Sequence, residues 1–273
     1  MIIAQEQFLA IVQSLPLSTL KMQMGRLRLK FLISDIALLL NLLNMAQTQK
    51  LCLKTVWQGR NSELGTYQNF CKNLETVAKL MPLVMSKFNA IHGIQPSKLM
   101  NIIDTSLIPV KAAQSIRSKD YAKNDVTLRK VDGVPHHVCG VKLFAVLNRQ
   151  GFICKTLVLP INTADIDATK NPYYYGLTPG ILLADKGFNS ALARQRLKSC
   201  GIKLLSPFKV NQKQQLTDKE KRFYKRRWRI ETVFQKLKAQ YGHFKLGTSS
   251  RYTKIKQKAA LLLAVLNFNA SLL

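Results

Sequence analysis

The first third of the chain shows no alternation of apolar and polar residues; its hydrophobics recur at helical spacing instead. Leu27, Leu29, Phe31, Leu32, Ile36, Leu39, Leu40 and Leu43 form one broad apolar face, the pattern of a helix laid against a core. Ser62 is placed to cap a second helix, and Thr66 a third through Phe70, Leu74, Val77, Ala78 and Met81, with Pro82 following. Gly93 and Pro96 punctuate the end of this region. From Lys98 the texture turns to strands: Leu99–Val110, Val138–Asn148 and Phe152–Leu159. The last two are joined by Asn148-Arg149-Gln150-Gly151, a turn with glycine where positive φ is required. Ile181–Ala184 is short and wholly apolar, as a strand covered on both faces would be. Asn189 is expected to cap a helix through Leu192, Arg196 and Leu197 that Gly201 stops, and Ile202–Leu205 is a fifth strand closed by Pro207. Thr217 or Asp218 starts a long helix to about Tyr241, and Lys258–Leu266 is a final apolar helix.

Hairpin strands followed by strand, helix, strand, helix is the order of an α/β protein with an RNase H-like mixed sheet. The expected organisation is a helical region over 1–95 and a catalytic domain over 96–273. The helical region, with its short helices and basic surfaces, suits either a helix-turn-helix-like DNA reader or a cap packed on the next domain, and no recognition-helix pattern decides between them. In the RNase H-like order the first and fourth strands are neighbours, and open α/β sheets place their sites at strand ends.

Charge narrows the partners. The chain carries 42 Lys+Arg against 14 Asp+Glu, a net charge of +28, more than solubility needs. Nucleic acid is the expected partner ahead of an anionic membrane surface. With 47% hydrophobic residues the chain is a folded protein rather than a basic tail. The five cysteines include no C-x-x-C, so neither a zinc ribbon nor a disulfide framework is expected, and a reducing compartment is. Phe31–Met45, the most apolar stretch near the start, holds Asp35, Asn41 and Asn44 and is shorter than the roughly 20 residues of a membrane span. The first residues lack the basic start of a signal peptide.

Against this basic background three acids stand out. Asp104 ends the run Asn101-Ile102-Ile103, Asp185 ends Ile181-Leu182-Leu183-Ala184, and Glu231 lies on a helix among cations. An acid at the end of a buried strand costs free energy unless something positive pairs with it. Two such acids and a third from a later helix fit ligands of a hard divalent cation. At 100° per residue, Tyr224, Arg227, Glu231 and Lys238 form one polar ridge beside an apolar stripe of Phe223, Ile230, Phe234, Leu237 and Tyr241. The plainer alternative is that Glu231 only pairs with Arg227 one turn earlier, a solvated pair worth little. Other candidates are weaker. His136 and His137, adjacent in a strand, face opposite sides, and Asp165 and Asp167 with Asn162 are read as turn-capping residues before a spare metal site.

Tyr224-x2-Arg227-x3-Glu231-x6-Lys238 resembles the tyrosine–arginine–glutamate–lysine signature of DDE transposases from bacterial insertion sequences, at all four positions and all three spacings. Asp104-Thr105-Ser106 resembles the family's first acidic motif and Asp185-Lys186-Gly187-Phe188 its second. The short gap before Glu231 and the segment Tyr67-Gln68-Asn69-Phe70 are most similar to the insertion-sequence family called nine-eight-two. One departure is Pro135-His136-His137 before the Gly140-Val141-Lys142-Leu143 strand, where relatives often have aromatics. The resemblance implies phosphoryl transfer with two Mg²⁺ ions, for which Mn²⁺ substitutes. Asp104 would bridge both ions, and Asp185 and Glu231 would hold one each. Arg227, Lys238 and Lys186 would hold phosphates, and Tyr224 would pack on DNA. It further implies a homodimer on double-stranded DNA, cutting and joining the terminal inverted repeats of its own element in the bacterial cytoplasm. The alternatives are a decayed DNA-binding copy or a different metal nuclease on the same fold.

Overall fold

The computed structural model describes residues 10–11, 14–15, 81–112, 127–130, 137–208, 215–241, 261–262 and 264–273. The helices expected before residue 81, with their caps Ser62 and Thr66, lie outside the described residues, as does His136. The chain divides into two compact units, Ile94–Gln240 and a second made of Met1–Gly93 with Tyr241–Leu273. The terminal segment thus groups with the start of the chain instead of continuing the 96–273 domain.

In the unit that joins both ends of the chain, residues 81–91 are helical and bury Met81, Val84, Met85 and Phe88, one face at helical spacing. Pro82 therefore does not end a helix, contrary to expectation; Gly93, at φ 61°, follows the last turn. Residues 261–262 and 264–270 are helical, four residues beyond the expected end at Leu266, and bury Leu261, Leu262, Val265 and Phe268. Within this unit the Asn269 side-chain amide donates to Asn89 Oδ1 at 3.3 Å.

The unit Ile94–Gln240 is built on a six-stranded mixed sheet. Its strands are β1 (Met100–Ala112), β2 (Thr127–Lys130), β3 (His137–Asn148), β4 (Ile153–Pro160), β5 (Gly180–Leu183) and β6 (Ile202–Leu205). β3 pairs antiparallel with β1 along one edge, and β2 and β4 share its other edge. β5 lies parallel between β1 and β6. The short β2 escaped sequence reading because Thr127-Leu128-Arg129-Lys130 is polar and has no alternation long enough to register.

Two local devices fix this sheet. Asn148, buried at the end of β3, accepts from the N–H groups of Gln150, Gly151 and Phe152 through Oδ1, each at 3.0 Å. That turn needs Gly151, at φ 107°. Gly180 starts β5 at φ 127°, and a Cβ there would lie 2.5 Å from the Lys98 carbonyl oxygen, so only glycine lets β5 pass the start of β1.

Ile103, Phe144, Val146, Leu182, Ile202 and Leu204 face one cluster, with Leu197, Phe188, Ala168 and Tyr175 packed on it. Ile102, Leu143, Ala145, Leu147, Leu183 and Leu205 are buried as well, so both faces of the sheet are covered. Leu197 belongs to α1 (Ala191–Ser199), whose cap is Ser190, accepting from Ala193 N–H. Asn189 does not cap that helix. It is fully buried, donates to the Pro207 carbonyl at 2.7 Å and accepts from Arg194 Nε at 2.8 Å.

The expected single helix from Thr217 to Tyr241 is interrupted. α2 (Asp218–Tyr224) opens with a capping box between Thr217 and Glu220, a 3₁₀ turn covers Lys225–Arg227, and α3 (Trp228–Tyr241) follows. α3 buries Ile230, Val233, Phe234 and Leu237. Among the described residues no helix is long and apolar enough to cross a membrane.

Candidate active site

Asp104 does not stand at a strand end, as the apolar run before it suggests: it lies inside β1, opposite Ala145 of β3, and only Asp185 follows the end of its strand. Met100, Asn101 and Ile102 of β1 stand opposite Ile181, Leu182 and Leu183 of β5. The pairing ends there, two residues short of Asp104 and Asp185, and the two acids are close enough for Asp185 to act on the Asp104 carboxyl. Asp185 is extended, and its side chain caps nothing in the 3₁₀ turn Lys186–Phe188 that follows. Its carbonyl is held by the Ser206 hydroxyl at 2.8 Å, and Arg194 in turn donates to the Ser206 carbonyl at 2.9 Å and the Leu204 carbonyl at 3.0 Å. The loop after β6 therefore fixes where Asp185 begins.

The helical segment meets these acids through Arg227. Its guanidinium donates to Asp104 Oδ2 at 2.8 Å with one nitrogen and to Glu231 Oε1 with the other. The 3₁₀ turn has a direct effect here. With three residues per turn Tyr224 and Arg227 eclipse each other, and the guanidinium lies 5.9 Å from the Tyr224 ring centre. Both arms of Arg227 are thus spent on acids that the sequence marked as catalytic. The plain Arg227–Glu231 pair is present, and it reaches on to Asp104.

Electrostatics places Asp185 in the same group. Burial, the largest influence, pushes the Asp104 carboxyl up to about 6; the Thr105 N–H and Arg227 pull it back, and Asp185 and Asp165 push it further. Burial works against the Arg227 charge, but Asp104, Tyr224, Glu231 and Asp185 together outweigh it and raise its pKa. The Tyr224 phenol is pushed up, chiefly by burial, and Asp185 and Asp104 add to that. Asp104, Asp185, Tyr224, Arg227 and Glu231 therefore lie within one electrostatic site.

The raised Asp104 has a measurable sign. Its folded pKa lies above the unfolded value of 3.8, so the native state binds the extra proton and stability falls as pH rises between those values. Metal-free protein should lose on the order of 2 kcal/mol of stability between about pH 4 and pH 6 from this group. Thermal unfolding across that range tests it: Asp104→Asn should flatten this part of the slope, and an unchanged slope would assign it to other groups.

Of the remaining predicted residues, Lys186 is exposed on the turn after Asp185. Lys238 is carried by α3, and its side chain lies outside the described residues. Asp165 and Asp167 do not cap their turn. Asp167 pairs with Lys170 at 2.7 Å, and Asp165 pairs with Lys142, also at 2.7 Å. The sequence held a signal for the second pair: Lys142 stands inside the apolar run Val141–Leu147, and a buried lysine demands an anion.

Among the described residues no three potential ligands already stand at metal-binding spacing. The donor set nevertheless fits a divalent cation. It is all oxygen, one of its carboxylates is desolvated, and a guanidinium supplies the positive charge between two of its members.

A family profile described as a transposase DDE domain matches residues 97–244, more than half of the chain. The protein belongs to the DDE transposase family. The matched segment contains every residue of the site just described. No curated protein matches the chain. Among solved structures, a piggyBac transposase synaptic complex with hairpin DNA is similar at 8% identity with a TM-score of 0.44, over 98% of this chain and 72% of that one.

Proposed function

We propose that this DDE transposase cleaves and joins DNA at the terminal inverted repeats of its own insertion sequence, with Asp104, Asp185 and Glu231 as its metal-holding catalytic residues on an RNase H-like sheet. The observation that carries the reading is the convergence on Arg227: an acid of β1 and a helix acid far apart in sequence are held by one guanidinium, and Asp185 acts on the first of them through its charge. Two Mg²⁺ or Mn²⁺ ions held by these three acids would lower the pKa of the attacking water or 3′-hydroxyl and stabilise the leaving oxygen. The chain's own part is preorganisation. β1 and β5 bring two carboxylates within electrostatic reach of each other, and the 3₁₀ turn and α3 deliver the third with its counter-ion. Arg227, freed from the acids once cations take its place, is positioned to hold a backbone phosphate. Lys186, exposed beside Asp185, and Lys238, two turns beyond Glu231, extend that positive track, and Tyr224 packs against the strand being cut. The signature and spacings favour the insertion-sequence family nine-eight-two, with a homodimer assembled on the paired ends and residues 1–95 reading them.

Mg²⁺-dependent cleavage and strand transfer on a terminal-repeat duplex test the proposal; no cleavage with either ion would sink it. Binding to that duplex should weaken steeply with salt, log K falling by about 0.9 per neutralised phosphate per log unit of salt. The +28 charge motivates this expectation, and a flat titration would remove DNA as the partner.

A further inference from the structure

Behind the acids lies a group of side chains that the reaction as described does not use. Neighbouring residues of a strand point to opposite faces, so while Asp104 meets Arg227 on one side of β1, Thr105 turns to the other. There its hydroxyl donates to Asp165 Oδ1 at 3.0 Å. The same oxygen accepts from Lys142 Nζ at 2.7 Å, and Lys142, only 2% exposed, also donates to the Thr163 carbonyl at 2.6 Å. The second carboxylate oxygen of Asp165 lies against the turn after Asp185: a Cβ on Gly187 would be 2.9 Å from Oδ2. One carboxylate therefore touches the residue next to Asp104 and the residue two beyond Asp185, and it is anchored by a lysine from β3.

A buried ion pair is weak evidence for stability, because its desolvation cost offsets most of its attraction. An added anion close to Asp104 and Asp185 would also repel them if it were not neutralised. Both costs make sense if the pair sets geometry. We infer that Lys142 and Asp165 are positioning residues, a strut behind the sheet that fixes the separation of Asp104 and Asp185 through Thr105 and Gly187. The inference rests on the metal-holding reading of those two acids.

The test is Mn²⁺ binding by the full-length protein, followed by titration calorimetry, with duplex binding and thermal unfolding in parallel. Thr105→Val removes the hydroxyl from a partly exposed site and should weaken Mn²⁺ binding about ten- to a hundredfold. Thr105→Ser, which keeps the hydroxyl, should restore it, and duplex binding should be unchanged in both. Asp165→Asn should match Thr105→Val; should it fail to fold, the threonine pair still decides. Wild-type Mn²⁺ affinity in Thr105→Val, or the same loss in Thr105→Ser, would overturn the strut alone. Wild-type protein whose Mn²⁺ uptake is absent, or survives Asp104→Asn, would overturn the metal reading and the strut with it.

Discussion

Glu231→Gln should abolish cleavage and strand transfer while leaving the protein folded and bound to DNA. The change is isosteric, and it removes one negative charge and one strong oxygen ligand. If Glu231 helps hold a cation worth several kcal/mol of transition-state stabilisation, the rate should fall about a thousandfold or more. Duplex binding should hold or strengthen, because an anion has left a cationic surface. Stability should change by less than about 1 kcal/mol, since Glu231 is half exposed and its pair with Arg227 is screened by solvent. Asp104→Asn and Asp185→Asn should lose activity to the same degree, and double mutants should be no worse than singles because the residues act as one unit. The competing account, in which Glu231 is only the partner of Arg227, predicts a small stability change and full activity. Wild-type cleavage of a terminal-repeat duplex by the Gln variant would decide for it.

Arg227→Ala should have the opposite character, a stability effect that depends on pH and on cations. Arg227 and Asp104 are each 17% exposed, so their pair is largely desolvated. Removing the guanidinium leaves Asp104, Asp185 and Glu231 facing one another without a counter-charge. Breaking such a pair should cost about 2 kcal/mol in metal-free protein near neutral pH, below the full buried-pair value because Glu231 is wet. The cost follows the ionised form of Asp104, whose pKa is already raised to about 6. It should therefore shrink as pH falls toward about 4, where the carboxyl is protonated with or without arginine. Mg²⁺ should restore more stability to the variant than to wild type, because the cation replaces the missing charge. Thermal unfolding at two pH values, with and without Mg²⁺, reads all three effects. A small cost indifferent to pH and Mg²⁺ would show that Arg227 is an ordinary surface residue.

Arg227 also makes contacts that the order of residues along the chain does not encode. The ridge of Tyr224, Arg227, Glu231 and Lys238 assumed an unbroken α-helix. The 3₁₀ turn over Lys225–Arg227 instead eclipses Tyr224 with Arg227, and nothing in Lys225-Arg226-Arg227 announces that break. The resemblance implies a phosphate role for Arg227 and says nothing of its contact with Asp104; that contact spans 123 residues, and no local pattern encodes a contact of that range. Asp165 reads as a turn residue because its partner lies on another strand, although Lys142 in an apolar run is a visible demand for an anion. Asn189 reads as a cap because it stands next to Ser190 and both residue types accept from the first N–H groups of a helix.

Local chemistry gave five of the six strands within two residues at each end, because apolar runs bounded by Gly, Pro and Asn suffice to mark strands that pack into a sheet. It singled out Asp104 and Asp185, since an unpaired acid after such a run is costly enough to be conspicuous, although Asp104 lies inside β1 and not at its end. It pointed toward a polyanion as the expected partner through the charge of +28. The tertiary structure alone decided which oxygens meet. The pairing of β1 with β5 brings Asp104 within electrostatic reach of Asp185, Arg227 joins Asp104 to Glu231, and Lys142 with Asp165 stands behind them. Those are long-range matters of hydrogen-bond register and desolvated charge, whose energies exist only once the sheet has formed and excluded water from the ions.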